Sequence, residues 1–107
     1  MINILCHRGL WKYKKNHNNL ISLEKAVKNS FGIELDIRDY ENKIIISHDI
    51  FDNKKSHKLL FEYFLKRNFK EINKKKLAIA INIKSDGLFL KLKKILKIYK
   101  IKNYFCF

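Results

Sequence analysis

The chain has 107 residues, enough for one domain with a single modest core and too few for two. Its 24 Lys and Arg against 10 Asp and Glu give a formal net charge of +14, which favours anionic partners such as phosphates, acidic lipids or nucleic acid. No zinc-finger spacing and no basic motif interleaved with aromatic residues accompanies that charge, so nucleic acid is not the expected partner. Solvated, lysine-rich helix faces are the simpler explanation.

Cysteine usage and hydropathy indicate an intracellular chain. Cys6 and Cys106 lie in apolar runs without CxxC spacing, so neither a redox pair nor a zinc site is expected, and buried reduced thiols fit best. Residues 2–6 are apolar from the start, without the basic segment of a signal peptide, and no apolar stretch reaches membrane-spanning length. We therefore expect a cytoplasmic protein with no transmembrane segment.

The first third of the chain predicts a strand followed by a helix. Residues 2–6 are typical of a short buried strand, and a loop rich in Asn and Lys follows. Gly32 is expected to stop the helix. The helix itself is predicted from apolar residues at helical spacing, Leu20, Leu23, Val27 and Phe31.

A strand with one polar face comes next. Apolar residues at 33, 35 and 37 alternate with Glu34, Asp36 and Arg38, so the three polar side chains are predicted to share one face. Residues 40–43 are typical of a turn, and residues 44–46 predict a return strand that ends at Ser47-His48-Asp49.

The second half predicts helix, strand, helix and strand. Ser56 is expected to cap a helix running to about Asn68, with a buried stripe of Leu59, Leu60, Tyr63 and Phe64. Residues 77–83 are typical of a parallel strand covered on both sides. Ser85 or Asp86 is expected to cap the next helix, and residues 104–107 predict a last strand. The buried positions of that helix are predicted to be Leu88, Leu92, Ile95, Leu96 and Tyr99.

This order of elements predicts an α/β fold with right-handed crossovers and a parallel sheet. The chain has no proline, no Ser- or Gly-rich linker and no repeat of solenoid period, so residues 1–107 are expected to form a single domain. His7, His48 and Lys84 fall at or just past the carboxyl ends of predicted strands, where parallel α/β folds and barrels place their chemistry.

The carboxylates of Glu34 and Asp36 predict a divalent metal site. Two anions on one strand face are costly unless a cation lies between them, and hard oxygen ligands favour Mg²⁺ or Ca²⁺ over zinc. Water and substrate oxygens would fill the remaining ligand positions. The alternative is an exposed acidic edge paired with some of the many lysines.

Two histidines could supply proton transfer. In phosphodiester hydrolysis, one of His7 and His48 would withdraw a proton from the attacking hydroxyl and the other would donate one to the leaving oxygen. Arg8 would hold the phosphate with its guanidinium fork. Taken singly, each histidine is more simply explained as a polar residue at a strand end.

Four short motifs in order resemble the glycerophosphodiester phosphodiesterase family. The resemblance covers residues 3–49 closely and extends more loosely through residues 80–84 to the end. The motifs are His7-Arg8-Gly9, then Asn18-Asn19 with Ala26, then Gly32-Ile33-Glu34-Leu35-Asp36, then His48-Asp49.

The resemblance implies a TIM-type (β/α) barrel, with His7 and His48 as the acid/base pair and Glu34 and Asp36 as ligands of Mg²⁺ or Ca²⁺. It also implies that Arg8 and the lysine at 84 contact phosphate, and that the products are an alcohol and glycerol 3-phosphate. A full barrel takes about 250 residues, so this chain would hold about the first four strands with their intervening helices and is expected to be truncated.

Two positions depart from the family pattern. The family usually has Glu-Asn-Thr where this chain has His17-Asn18-Asn19, and Asn82 stands where a third metal-binding Glu is usual. Asn82 can still coordinate through its amide oxygen, as a weaker ligand with one charge fewer.

The leading hypothesis is therefore a metal-dependent phosphodiester hydrolase. One alternative is a catalytically silent remnant of the same fold that binds phosphate or a lipid headgroup, and a second is a basic nucleic-acid-binding protein. The expected partners are a small phosphodiester substrate and either a second copy of the chain, forming a homodimer, or a second half-barrel chain, because a half-barrel leaves two open sheet edges.

Overall fold

The computed structural model describes residues 5–7, 19–47 and 58–107, the first of these segments by its backbone alone. Its elements follow the predicted order of strand, helix, strand with a return strand, helix, strand, helix and strand. They are β1 (Leu5–His7), α1 (Leu20–Lys28), β2 (Gly32–Tyr40), β3 (Lys43–Ile46), α2 (Phe61–Lys75), β4 (Ile79–Ile83), α3 (Phe89–Ile98) and β5 (Tyr104–Cys106).

The strands form one mixed sheet that is mostly parallel. Strands β1, β2, β4 and β5 lie side by side in that order, each parallel to the next and separated from it along the chain by a helix. Strand β3 runs antiparallel to the end of β2. The predicted α/β class with a parallel sheet is confirmed, whereas curvature into part of a barrel stays a prediction.

All three helices contribute to one core on one face of the sheet. Strand residues at alternate positions, such as Leu35 of β2 and Ile81 of β4, are fully buried in it. The helices supply, among others, the buried residues Leu23, Ala26, Val27, Phe61, Phe64, Leu65, Ile72, Leu92 and Leu96. The other face of β2, which carries Glu34 and Asp36, takes no part in this core.

A tight hairpin joins β2 to β3 and confirms the predicted turn. Tyr40 pairs with Lys43, and the two residues between them, Glu41 and Asn42, have φ of 47° and 65°. Positive φ at both central residues is the type I′ pattern that matches the twist of the flanking strands. The hairpin fixes the register in which β3 pairs with β2.

The predicted end of the first helix is wrong. Helix α1 ends at Lys28, and Phe31 lies beyond it. Ser30 adopts the left-handed conformation with φ of 63°, and its N–H and that of Phe31 bond to carbonyls of the last turn. Gly32 is the first residue of β2, so it begins a strand instead of stopping a helix.

The starts of the other two helices also differ from prediction. Helix α2 begins at Phe61 and continues to Lys75, well past Asn68, and the predicted cap Ser56 lies outside the described residues. Tyr63 is 47% exposed instead of buried, because the buried stripe runs through Phe61, Phe64 and Leu65.

Helix α3 begins at Phe89 with Leu88 at the N-cap position and no side-chain cap, so neither Ser85 nor Asp86 caps it. Its predicted stripe is confirmed: Leu92 and Leu96 are buried in the core, with Tyr99 packed against it.

Among the described residues, none of the helices is long and apolar enough to cross a membrane. Cys106 is a free, half-buried thiol whose pKa is raised by burial.

Candidate functional site

The polar face of β2 carries the two predicted metal ligands. Glu34 and Asp36 alternate with Ile33, Leu35 and Ile37, whose side chains are buried among the helices, so both carboxylates lie on the opposite face. Residues two apart on a strand are about 6.6 Å apart along it. Asp36 is only 2% exposed and Glu34 is partly exposed.

Strand register brings further predicted residues to this row. Asn82 of β4 is the register partner of Asp36, and Ala80 is the partner of Glu34. On the other side of β2, the backbone of His7 in β1 is in register with Glu34. Neighbouring strands lie about 4.8 Å apart, so Glu34, Asp36 and Asn82 are adjacent on one face.

Three hydrogen bonds organise the carboxyl end of the sheet. The N–H of Ser47, at the end of the return strand, donates to the Asp36 carbonyl at 2.9 Å. The N–H of Lys84 donates to the Ile37 carbonyl, also at 2.9 Å. These bonds hold Ser47, directly after β3, and Lys84, directly after β4, against β2.

The third bond involves a residue with a role that was not predicted. The Ser85 hydroxyl accepts a hydrogen bond from the Asp39 N–H at 2.8 Å, which fixes the residue after Lys84 to β2. No local sequence signal identifies this bond because its two residues are 46 positions apart. Ser85 therefore orients the loop that carries Lys84 instead of capping α3.

The structure describes some of the residues of the predicted site. Glu34, Asp36 and Asn82 share one row, with half-buried Lys84 two residues beyond Asn82. His7 is present by its backbone, whereas Arg8 and His48 lie outside the described residues.

The second motif of the resemblance has a structural role at two of its residues. Asn19 is the N-cap of α1, and its side-chain oxygen accepts a hydrogen bond from the Ser22 N–H at 2.8 Å. Ala26, eight residues after Asn18, is fully buried in the core. Helix capping and tight packing thus explain Asn19 and Ala26 without a direct part in chemistry.

The donor set fits a hard divalent cation. Two carboxylates and one amide oxygen on adjacent strands are ligands of the kind that Mg²⁺ and Ca²⁺ prefer. Within residues 19–47 and 58–107, no cluster of three or more His, Cys, Asp or Glu side chains could hold a metal. Among the described residues, this row therefore holds two carboxylates, and the amide oxygen of Asn82 is its third oxygen donor.

Toward β5, the same face of the sheet becomes apolar. Ala80 is buried beside Glu34, and its register partner on the other side is Phe105, which is 51% exposed. Phe107 lies 6.2 Å from Phe105, ring centre to ring centre, and is 55% exposed. The carboxylates of β2 and the phenyl rings of the β5 end therefore lie on the same side of the sheet.

No protein-family model, no curated protein and no solved structure matches the chain.

Proposed function

We propose that the protein is a metal-dependent phosphodiester hydrolase that cleaves a glycerophosphodiester to an alcohol and glycerol 3-phosphate. The observation that carries this proposal is the row on the polar face of β2, where Glu34 and Asp36 lie beside Asn82. The sequence resemblance to glycerophosphodiester phosphodiesterases names the reaction that such a row would serve.

Glu34, Asp36 and Asn82 are the residues that would hold Mg²⁺ or Ca²⁺. When bound, the ion would neutralise charge on a phosphodiester oxygen. Lys84 and Arg8 would bind the remaining phosphate oxygens, the arginine with two parallel N–H donors. The Ser85 hydrogen bond to Asp39 keeps the loop bearing Lys84 near this position.

His7 and His48 are proposed to move the protons. One histidine takes a proton from the attacking hydroxyl, and the other gives a proton to the alcohol oxygen as the phosphorus–oxygen bond breaks. Support comes from the backbone: His7 is in register with Glu34, and His48 directly follows Ser47, which is bonded to the Asp36 carbonyl.

We also propose that the α/β fold of this chain is the first part of a (β/α) barrel. Its support is the order of the parallel strands, which is the order of the chain, and the packing of all three helices on one face. A doubly wound sheet carries helices on both faces and reverses its strand order. In a barrel, the polar face of β2 would point to the interior.

The test is an assay of glycerophosphocholine hydrolysis with added Mg²⁺ or Ca²⁺. The quantity measured is the glycerol 3-phosphate that is released. We expect His7→Ala and Glu34→Ala each to lower kcat/KM by about 100-fold or more, since each removes a group used in the reaction. Matched controls are His57→Ala, at a histidine outside the motifs, and Glu71→Ala, at a surface carboxylate of α2.

The outcome separates the enzyme from the silent binder. If wild type turns over no faster than His7→Ala, the hydrolase proposal fails. Binding of glycerol 3-phosphate without turnover, weakened by Lys84→Gln, would instead indicate a phosphate-binding remnant of the same fold.

A further inference from the structure

The last part of the chain concentrates positive charge on one exposed surface. Asp86 is the last acidic residue, and the residues after it contain only basic ionisable side chains apart from Tyr and Cys. The basic residues are Lys91, Lys93, Lys94, Lys97, Lys100 and Lys102. Four of them belong to α3, so the outer side of this helix is strongly basic.

The buried side of α3 fixes which residues point outward. Leu92 and Leu96 are buried against the sheet. Lys93, Lys94 and Lys97 are three, four and seven residues after Leu90, so all four share the outward face. We call these four residues, together with Ile98, the lysine face of α3.

Two aliphatic side chains project from the lysine face. Leu90 is 77% exposed and Ile98 is 65% exposed. Phe89, next to Leu90 in sequence, is 54% exposed, and its ring centre lies 5.3 Å from the ammonium of Lys93. Leu90 and Ile98 therefore stand at the two ends of the helix with the lysines between them.

The same face borders a groove along β5. The groove has a volume of about 710 Å³, and its lining combines apolar groups of α3 and β5 with lysine side chains. Besides four residues of the lysine face, its lining includes Leu96, Ile101 and Tyr104, together with Lys100 and Lys102. Basic residues thus continue from the helix onto the segment leading into β5.

We propose that the lysine face of α3 binds the surface of a membrane rich in anionic lipids. The three lysines contact headgroup phosphates, while Leu90 and Ile98 enter the boundary between headgroups and acyl chains. Lysines spread along a helix of 10 residues match charges distributed over a plane better than one small anion. Lys91 is a poorer contributor because its ammonium donates to the Asn42 carbonyl of the hairpin.

Charge and shape favour a bilayer over other partners. A second copy would bring the same lysines against each other, which like-charge repulsion opposes. A nucleic acid would use the lysines and could stack a base on Phe89, but it would leave the projecting Leu90 and Ile98 without a contact. The proposal stands on α3 alone and does not depend on the phosphodiesterase site.

The experiment is sedimentation of the full chain with vesicles of phosphatidylcholine and with vesicles of phosphatidylcholine mixed with phosphatidylglycerol. We expect binding to the mixed vesicles only. The triple variant Lys93→Gln, Lys94→Gln, Lys97→Gln should bind about 100-fold more weakly, at about fivefold per lysine. The matched control is Lys66→Gln, Lys70→Gln, Lys74→Gln, which removes three exposed charges from α2.

A second pair of variants tests the aliphatic contacts. Leu90→Ser with Ile98→Ser should weaken binding at high salt at least tenfold, since apolar insertion is not screened by ions. Ile21→Ser, at a 69% exposed residue of α1, should have no effect. Circular dichroism of each variant checks that it is folded.

Three results would overturn the proposal. One is no sedimentation of wild type with the mixed vesicles. Another is equal loss in the α3 and α2 triple variants, which would indicate unspecific attraction by net charge. The third is tighter binding to single-stranded RNA than to vesicles, lost in the α3 triple variant, which would assign the face to nucleic acid.

Discussion

Glu24 joins α1 to α2 through three short hydrogen bonds. Its two oxygens accept from Arg67 at 3.0 and 3.1 Å, and one of them also accepts from the Asn68 amide at 2.8 Å. The Arg67 hydrogen bond is the largest cause of a pKa for Glu24 below its ordinary value, and partial burial opposes it. This group makes the contact between the two helices sensitive to acid.

Glu24→Gln should lower the melting temperature by a few degrees near neutral pH. In strong acid the substitution should leave the melting temperature unchanged. A carboxyl with a depressed folded pKa stabilises the fold above its unfolded pKa of about 4.3, and this stability is lost as pH falls through the folded value. Thermal melts of both proteins at several pH values measure the difference.

The control for this prediction is Glu71→Gln. Glu71 faces Lys75 one turn away at 3.4 Å, with 53% of its side chain exposed, so its loss should change stability little. A gap between wild type and Glu24→Gln that stays constant down to pH 3 would contradict the role given to the Glu24 carboxylate.

Asn82→Glu should strengthen metal binding. The substitution places a third carboxylate beside Asp36, and ligand charge is a main determinant of affinity for Ca²⁺ and Mg²⁺. We expect the dissociation constant for the ion to fall on the order of tenfold. Isothermal titration calorimetry measures it, and Asn82→Gln is the control of equal length without the charge.

The melting temperature of the same variant provides a second test. Without metal, three neighbouring carboxylates repel, so Asn82→Glu should melt below wild type, and added metal should reverse the order. If metal raises the melting temperatures of wild type, Asn82→Glu and Asn82→Gln equally, the metal site on β2 is wrong.

The shared face of side chains on one strand could be predicted from sequence, whereas hydrogen bonds between distant residues could not. The shared face of Glu34 and Asp36 follows from the two-residue period of a strand. The hydrogen bonds of Ser85 and Glu24 join residues more than 40 positions apart, and no local pattern reports such a partner.

The three helices end in the same way, each leading into a strand. A non-glycine residue with positive φ follows each helix, and the next residue donates its N–H to the carbonyl five positions back. The bonds are Phe31 to Ala26, Leu77 to Ile72, and Ile101 to Leu96, at 2.9, 3.0 and 2.9 Å. The left-handed residues are Ser30, Lys76 and Lys100.

Ser30→Gly should stabilise the protein by about 1 kcal/mol. Glycine adopts positive φ without the cost that a side chain meets there, and it is the residue usually found at this position after a helix. Urea denaturation measures the change in the free energy of unfolding.

The neighbouring variant Lys28→Gly provides the opposite case. Lys28 is the last residue of α1, so glycine there should destabilise by up to about 1 kcal/mol. If Ser30→Gly destabilises the protein as Lys28→Gly does, Ser30 does not have the left-handed conformation assigned to it.

Element type and order followed from sequence, while helix boundaries did not. Apolar periodicity reports the buried stripe of α3 because that stripe is set by local geometry. Helix ends depend on backbone hydrogen bonds that any residue can make, and here serine and lysine occupy positions where glycine was the expected signal. The prediction that Gly32 stops α1 failed for this reason.

At the scale of the whole molecule, the two faces of the sheet differ. Helices cover one face, and the other carries the β2 carboxylates and, toward β5, the half-exposed rings of Phe105 and Phe107. Sequence predicted the parallel sheet, because strands alternate with helices, but the exposure of these rings depends on how the elements pack. Aromatic side chains, phenylalanine included, are enriched where proteins contact one another.

The 107-residue chain is expected to self-associate through Phe105 and Phe107 when salt is high. At low salt the net charge of +14 keeps copies apart, and added salt screens that repulsion without weakening apolar contact. Sedimentation velocity should therefore show monomer at low ionic strength and dimer or larger species at high ionic strength. Phe105→Ser with Phe107→Ser should remain monomeric in both.

Ile21→Ser is the matched control, because Ile21 is 69% exposed on α1, away from this pair, and its loss should leave association unchanged. A wild-type chain that stays monomeric at every salt concentration would show that these rings do not form a contact surface. Association that falls as salt rises would instead point to attraction between charged groups, since screening weakens such contacts and leaves apolar ones intact.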